Sequence, residues 1–340
     1  MSGLRQFVVC CDTSGLEIFS HEQSSTGMTK TLSFRLRAMV PQEYDLVASL
    51  IEVSTNAWYV SNGKPAIFTG GLAATRLFPE VYEALDPGCC VVAEHLVSGQ
   101  IMGSCFYHPR STHIALGIMN VHPDHFGAGL ARELLKYITD MADNAGKPVR
   151  LVSSAQNLDS FSLYTRAGFV PRCTYQDMYL AVPELGLTAI APSRSHLVRN
   201  AELADVSAMV ALEKSISGIE REKDFRYFIT NTTGIWGMSV LAGADGRIDG
   251  FLGSVCHPGS TMLGPGIARD ETTAAALIWH GLHRLRGHKP VWLVPCHYGD
   301  LIQTLYRWGA RNCELHLAQV RGPAQAFAGV TMPTFMPETG

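Results

Sequence analysis

The sequence has no Cys-x-x-Cys pair, no excess charge of either sign and no apolar run long enough to cross a bilayer. Each absence removes a class of function. Nine cysteines occur, but Cys10 and Cys11 are adjacent, as are Cys89 and Cys90, while Cys105, Cys173, Cys256, Cys296 and Cys313 stand alone. Zinc and dithiol redox motifs are therefore unsupported, and no metal site is expected. An odd cysteine count suits a reducing compartment, where buried thiols act as small apolar groups, so a cytoplasmic location is expected. Lys and Arg total 27 against 30 Asp and Glu, a net charge of −3. That leaves no electrostatic footprint for nucleic acid or an anionic membrane. The apolar patch from Phe7 to Cys11 is too short for a signal peptide or a span, and Asp12 follows it at once.

What is present is an ordinary globular composition, with 46% hydrophobic and 17% charged residues over 340 positions. One core seldom grows past about 250 to 300 residues, so two domains are expected. Residues 1–30, ending in a Ser/Thr-rich stretch, read as an extension that is poorly ordered or that precedes a true start near Met28. Residues 31–182 form a first domain. Pro183 to Ser195, with two prolines, small-residue clusters and no amphipathic period, reads as a linker, and residues 196–340 as a second domain.

The organising stretch runs from Val121 to Gly146. A strand ends in Val121, His122 and Pro123, a glycine-rich bend follows at Phe126, Gly127, Ala128 and Gly129, and a helix opens at Leu130 and Ala131. Leu130, Leu134, Leu135, Ile138, Met141 and Ala142 recur at helical spacing, and Gly146 closes the run. The first-turn amides and the positive end of the helix dipole make such a start an anion site. Gly127 and Gly129 remove the side chains that would hold a diphosphate away. A dinucleotide fingerprint would need a third glycine and a later acid, and a P-loop would need Lys followed by Ser or Thr. Neither occurs here.

A second segment follows. VRLVSSA, from Val149 to Ala155, reads as a strand; Gln156 and Asn157 come next, then a helix-like run containing Ser160, Leu163 and Tyr164 and ending at Gly168 and Phe169. Together the two segments resemble the GNAT superfamily of acyl-CoA-dependent N-acyltransferases. In that family a strand ending in Val-x-Pro leads into Arg/Gln-x-x-Gly-x-Gly/Ala and a helix, and a later helix finishes in Leu-Tyr-x-x-x-Gly-Phe. The match departs at Phe126, where Arg or Gln is usual.

The resemblance implies a mixed α/β (α+β) sheet and two GNAT-like domains in tandem. It implies that the backbone of Met119, Asn120 and Val121 pairs with the pantetheine arm of acetyl-CoA or another short acyl-CoA. It also implies that the amides from Phe126 to Ala131 hold the diphosphate, that Asn157 and Ser160 contact the cofactor, and that Tyr164 is the general acid. Capping for Asn157, and packing of helix on sheet for Tyr164, are the plain alternatives.

Taken in order, Leu32 to Met39 reads as a strand and Pro41 to Thr55 as a helix. A less regular segment follows, with Trp58, Tyr59, Phe68, Phe78 and Tyr82. Strands are expected over Cys89–Leu96, Ile101–His108, His113–Val121 and Tyr175–Val182. Past the linker the opening recurs, with Arg199 in register with Arg37 and Leu212 with Leu50. A hairpin then spans Trp236 to Val255. Gly264, Pro265 and Gly266 take the place of the glycine loop, ahead of a helix from about Thr272. His297 or Tyr298 stands where Asn is expected, and Tyr306 lies three residues before Gly309, whereas Tyr164 is four before Gly168. The second half is expected to be degenerate in its loop chemistry.

Acyl transfer to an amine also needs a proton acceptor, because an amine with a pKa near 10 is only about a thousandth neutral at pH 7. Glu94, His113, His122 and a water chain are all open as the base; His122 reads as a surface residue and His113 as a solvated one. The expected function is N-acylation of a small-molecule primary amine or amino-acid-like acceptor. A non-catalytic acyl-CoA sensor or scaffold on the same fold is the alternative. Whether the chain forms a homodimer is left open.

Overall fold

The computed structural model describes residues 9–11, 17–23, 30–243 and 245–334. Most of the expected extension lies outside them. Two compact units form, Met1–His108 with Leu116–Asn144, and Pro109–Ala115 with Ala145–Gly340.

In the first unit, β1 (Val9–Cys11), β2 (Glu17–Gln23) and β3 (Lys30–Ala38) pair antiparallel in sequence. Helices α1 (Tyr44–Ser61), α2 (Leu72–Thr75) and α3 (Leu77–Leu85) follow. The irregular aromatic segment thus ends in helix, and Phe78 and Tyr82 are buried in the core. Next come β4 (Cys90–His95) and β5 (Ile101–Pro109), antiparallel to each other, with β3 on the outer side of β4. Strand β6 (Ile114–Val121) then leads to α4 (Leu130–Asn144). The apolar stripe of α4 is buried as its spacing predicts, through Leu130, Leu134, Leu135, Ile138 and Ala142.

The second unit holds β7 (Val149–Ser154), α5 (Leu158–Arg166), β8 (Val170–Tyr179), β9 (Val198–Asn200), α6 (Val206–Ser217) and α7 (Glu222–Thr230). It continues with β10 (Trp236–Ala242), β11 (Ile248–His257), β12 (Ser260–Ala268), α8 (Glu271–Arg284) and β13 (Val291–Pro295). It ends with α9 (Gly299–Arg307), β14 (Arg311–Arg321) and β15 (Val330–Met332). Strand order is β7-β14-β8-β13-β12-β11-β10-β9, with β15 paired to β12. Strands from the two sequence halves alternate at its centre. β14 pairs antiparallel with β7 on one side and β8 on the other, and β8 in turn pairs with β13. Trp292, Met178, Val294 and Leu305 share one core with Leu277 and Leu282 of α8.

Two expectations are corrected. The strand expected from Tyr175 to Val182 runs from Val170 to Tyr179, and it accommodates Pro171 at a register shift opposite Ala318 and Gln319. A proline has no amide for the ladder, so a bulge is where one fits. The supposed loop at Gly264, Pro265 and Gly266 is not a loop. All three lie inside β12, where Gly266 sits opposite Leu252 on one neighbour and Met332 on the other.

The repeated opening has a structural counterpart in each unit. Arg37 donates to Glu43 at 2.8 and 2.5 Å, and Glu43 also accepts from the Val40 amide at 3.0 Å. Arg199 donates to Asp205 at 2.7 Å twice, and Asp205 accepts from the Glu202 amide at 2.8 Å. Same offset, same fork, same cap.

Candidate functional site

Strand β6 ends half-buried at Met119, Asn120 and Val121. The Asn120 side chain is tied to α1, donating to Ser54 Oγ at 2.5 Å and to Thr55 Oγ1 at 3.4 Å. Its ladder with β7 is limited to Ile114 opposite Val149 and Ala115 opposite Arg150. After Val121 a short 3-10 turn, Pro123–His125, brings the chain to Phe126. The turn uses up the amides of His125 and Phe126, which donate to the His122 and Pro123 carbonyls, while the Ala128 amide donates to the His125 carbonyl.

Beyond that point the backbone changes hand. Gly127 and Gly129 have φ of +76° and +83°, a region in which a side chain is strained. This bend turns the amides of Gly127, Gly129, Leu130 and Ala131 out of the local bonding pattern. None of the four has an acceptor among the described residues. A Cβ at Gly127 would meet nothing within 4 Å. Open space above four donors at the positive end of a fifteen-residue helix suits a diphosphate. Ala128 and Leu130 are buried beneath the bend, and Phe126 is 52% exposed, so its ring supplies no donor where the family has one.

In the second unit, Asn157 is the N-cap of α5, and its Oδ1 accepts from the Ser160 amide at 3.0 Å. The capping alternative therefore holds for that oxygen. The Asn157 Nδ2 has no acceptor among the described residues. Tyr164 is buried in α5 with its ring centroid 5.8 Å from that of Phe169.

The proposed bases separate on burial. Glu94 is held by Arg35 at 3.0 Å and by Arg37. Burial would raise its pKa, but the hydrogen bonds from Arg37 and Arg35 outweigh that and hold it below the usual carboxylate range. A carboxylate so held is a poor proton acceptor at neutral pH. His113 is not solvated as expected but fully buried, its Nδ1 2.9 Å from Thr112 Oγ1. The reason is that Pro109–Ala115 is part of the second unit, where Thr112 donates to the Gly218 carbonyl at 2.8 Å. His122 is near the surface, and its Nδ1 accepts from the Asp124 amide at 3.3 Å.

Sequence reasoning missed a further titratable pair. His316 Nδ1 lies 2.8 Å from Asp177 Oδ1, both buried, and Glu314 accepts from Ser154 beside them. These residues come from β14, β8 and β7, and no local spacing could have joined them.

The start of α8 differs from that of α4. Asp270 occupies the N-cap and accepts from the Thr273 amide at 2.7 Å, and Glu271 accepts from the Leu301 amide at 2.6 Å. A carboxylate stands where a diphosphate would need to be. Strand β12 is covered as well, since β15 pairs with Gly266, Ile267 and Ala268. Counted from the first parallel pair in each half, Ile114 with Val149 and Met262 with Val291, those residues correspond to Ile118, Met119 and Asn120.

Residues 62–169 match the model of the acetyltransferase (GNAT) family. UPF0157 protein YqkA of Bacillus subtilis (strain 168) is 33% identical over 72 residues, which is 21% of this chain and 21% of that relative's length. The chain thus corresponds to about a fifth of that curated relative. A solved structure from Pyrococcus horikoshii, assigned as an acetyltransferase, matches with a TM-score of 0.67 at 13% identity, over 93% of this chain and 100% of its own. A tandem GNAT protein from the clavulanic acid biosynthesis pathway matches at 0.58 and 13% identity, over 86% of this chain and 100% of its own. At these identities the structural likeness establishes a shared fold.

Proposed function

From a chain that carries a GNAT-type acetyltransferase domain at residues 62–169, we propose that this protein moves an acyl group, acetyl in the first instance, from coenzyme A to a small amine. The acceptor is a primary amine or an amino-acid-like molecule. The observation that carries the reading is the set of four outward amides at Gly127, Gly129, Leu130 and Ala131, in a bend where a Cβ at Gly127 would meet nothing within 4 Å.

In this reading those amides hold the diphosphate. The backbone of Met119 to Val121 and the Nδ2 of Asn157 engage the pantetheine arm, with Ser160 beside it. The neutral amine attacks the thioester carbonyl; a C–N bond forms, the C–S bond breaks, and the nitrogen gives a proton to water, from which the donor that protonates the thiolate is restored. The thiolate, with a pKa near 8.5 for an ordinary thiol, needs a proton at neutral pH, and the Tyr164 phenol is the proposed donor.

One acyl-CoA is bound per chain. Asp270 at the α8 start and β15 along β12 support a second half that shapes the protein without taking cofactor.

Tyr164→Phe tests the assignment, because Phe keeps the packing against Phe169 and removes only the hydroxyl. Turnover with an amine panel is expected to fall about 10²-fold while coenzyme A affinity holds. Equal turnover in the variant overturns the acid role. Cofactor binding without thiol release from any amine favours the sensor reading.

A further inference from the structure

The second unit contains a small cavity, open on one side, lined by Tyr175, Glu213, Ser217, Arg221, Gly266 and Thr331 among others. Around it lies a cluster of buried charges that the acyl-transfer reading does not use. Arg110, Arg150, Glu213, Arg221 and Asp224 are all more than nine-tenths buried. Arg221 donates from Nε to Glu213 at 2.9 Å, and its Nη2 lies 2.8 Å from the other carboxylate oxygen. Arg110 pairs with Asp224 at 2.7 Å, and Lys223 approaches the same carboxylate at 2.9 Å. Both carboxylates are thereby taken.

Arg150 is left over. Its Nη1 donates to the Ser217 carbonyl at 2.8 Å, and among the described residues its Nε has no acceptor and no carboxylate pairs with it. Burial, and then repulsion from Arg221, lowers its pKa from the ordinary guanidinium value. On the cavity wall, Arg221 Nη1 is also buried without an acceptor among the described residues. Three buried guanidiniums thus face two buried carboxylates, with unsatisfied N–H groups on two of the arginines. A protein interior seldom leaves such groups uncompensated, and the guanidinium fork matches a carboxylate in both charge and geometry.

We propose that this cavity is a binding site for a small organic carboxylate, held by the free Nη1 of Arg221 on its wall, with Arg150, bound to the Ser217 carbonyl behind that wall, supplying the uncompensated positive charge. The Tyr175 and Thr331 hydroxyls, 2.8 Å apart, line the same cavity and give the bound molecule a polar wall. Phe327 and Met332 supply an apolar side for a short carbon chain. The site stands on the second unit alone and does not depend on the acyl-transfer reading.

Sodium acetate titrated against the full-length chain, with sodium chloride at matched ionic strength as the control, tests the assignment. Acetate is expected to raise the melting temperature along a saturating curve that chloride does not reproduce. Arg150→Met is expected to abolish the saturating part and, in the absence of acetate, to melt no lower than the wild type, because it removes an uncompensated charge. Equal, non-saturating responses to the two salts in the wild-type protein overturn the proposal, and this holds whether or not the variant folds. Chloride acting as well as acetate along a saturating curve also overturns it, as a halide site. So does a saturating acetate response that survives in Arg150→Met.

Discussion

Asp270 accepts a hydrogen bond from the Thr273 amide at 2.7 Å, so α8 opens on its own carboxylate, whereas α4 opens on Gly129. Like charges exclude each other at that point, and the chain is expected to titrate with one equivalent of coenzyme A. Asp270→Ala removes an N-cap and is expected to cost about 1 kcal/mol of stability. It does not create a second binding event, because β15 still covers Gly266 to Ala268. Isothermal titration of wild type and variant checks both points. Two equivalents in the wild type would refute the single-site assignment.

Gly127→Ala separates the diphosphate cradle from the rest of the fold. A Cβ there meets no neighbour, but φ of +76° is strained for alanine, costing about 1–2 kcal/mol in the bend. Coenzyme A affinity is expected to fall about tenfold or more. Pantetheine, which lacks the diphosphate, is the control: its affinity should be the same in variant and wild type. A parallel loss for both ligands would show that the glycine shapes the whole cleft and not the anion site.

The portions legible in the sequence are those fixed by local rules. The spacing of Leu130, Leu134, Leu135 and Ile138 sets one face of α4, and two positive-φ positions need glycine, so bend and helix could be read together. The duplicated opening was legible too, because Arg37 with Glu43 and Arg199 with Asp205 repeat at one offset. Gly264 to Gly266 misled, since a Gly-Pro-Gly run reads as a turn unless strands on both sides are known to hold it. His113 misled for a related reason. It is fully buried, and its neighbour Thr112 is tied to Gly218, about a hundred positions later, which nothing in the local sequence signals. The Asp177 and His316 pair likewise exists only because β14 enters between β7 and β8.

Acid stability follows from the two forks. Hydrogen bonding to Arg37 lowers the pKa of Glu43 from its usual 4.5, and hydrogen bonding to Arg199 lowers that of Asp205 from 3.8, in each case against an opposing contribution from burial. A folded pKa below the unfolded one means stability that is fully present above the usual value and lost as pH falls through the lowered one. Glu43→Gln is expected to lower stability at pH 7 by about 1 kcal/mol through the weakened Arg37 pair and Val40 cap. As pH falls below 4.5 toward the lowered value the difference should shrink, and the two proteins converge once pH is below that lowered value. Urea melts at pH 7 and pH 3 measure both. A difference that stays constant between the two pH values would mean that the ionised pair contributes nothing.

The centre of the second unit decides whether the halves can be separated. β14 gives β7 six paired positions and runs along β8 as well, and β13 lies on the other side of β8. A chain cut to residues 31–182 keeps β7 and β8 but loses every strand that joins them, exposing unpaired backbone along both edges of β8. Buried strand edges without partners are aggregation templates, and Tyr175 and Met178, fully buried in the whole chain, would be uncovered. The fragment is therefore expected to be insoluble or to lack a cooperative melt, although residues 62–169 lie within it. Adding residues 183–340 as a separate chain supplies β13 and β14 and should restore soluble material in a one-to-one complex, which size-exclusion chromatography with light scattering would detect. A fragment of residues 31–182 that melts cooperatively as a monomer would show that the pairing of β7 and β8 through β14 is dispensable to the first half.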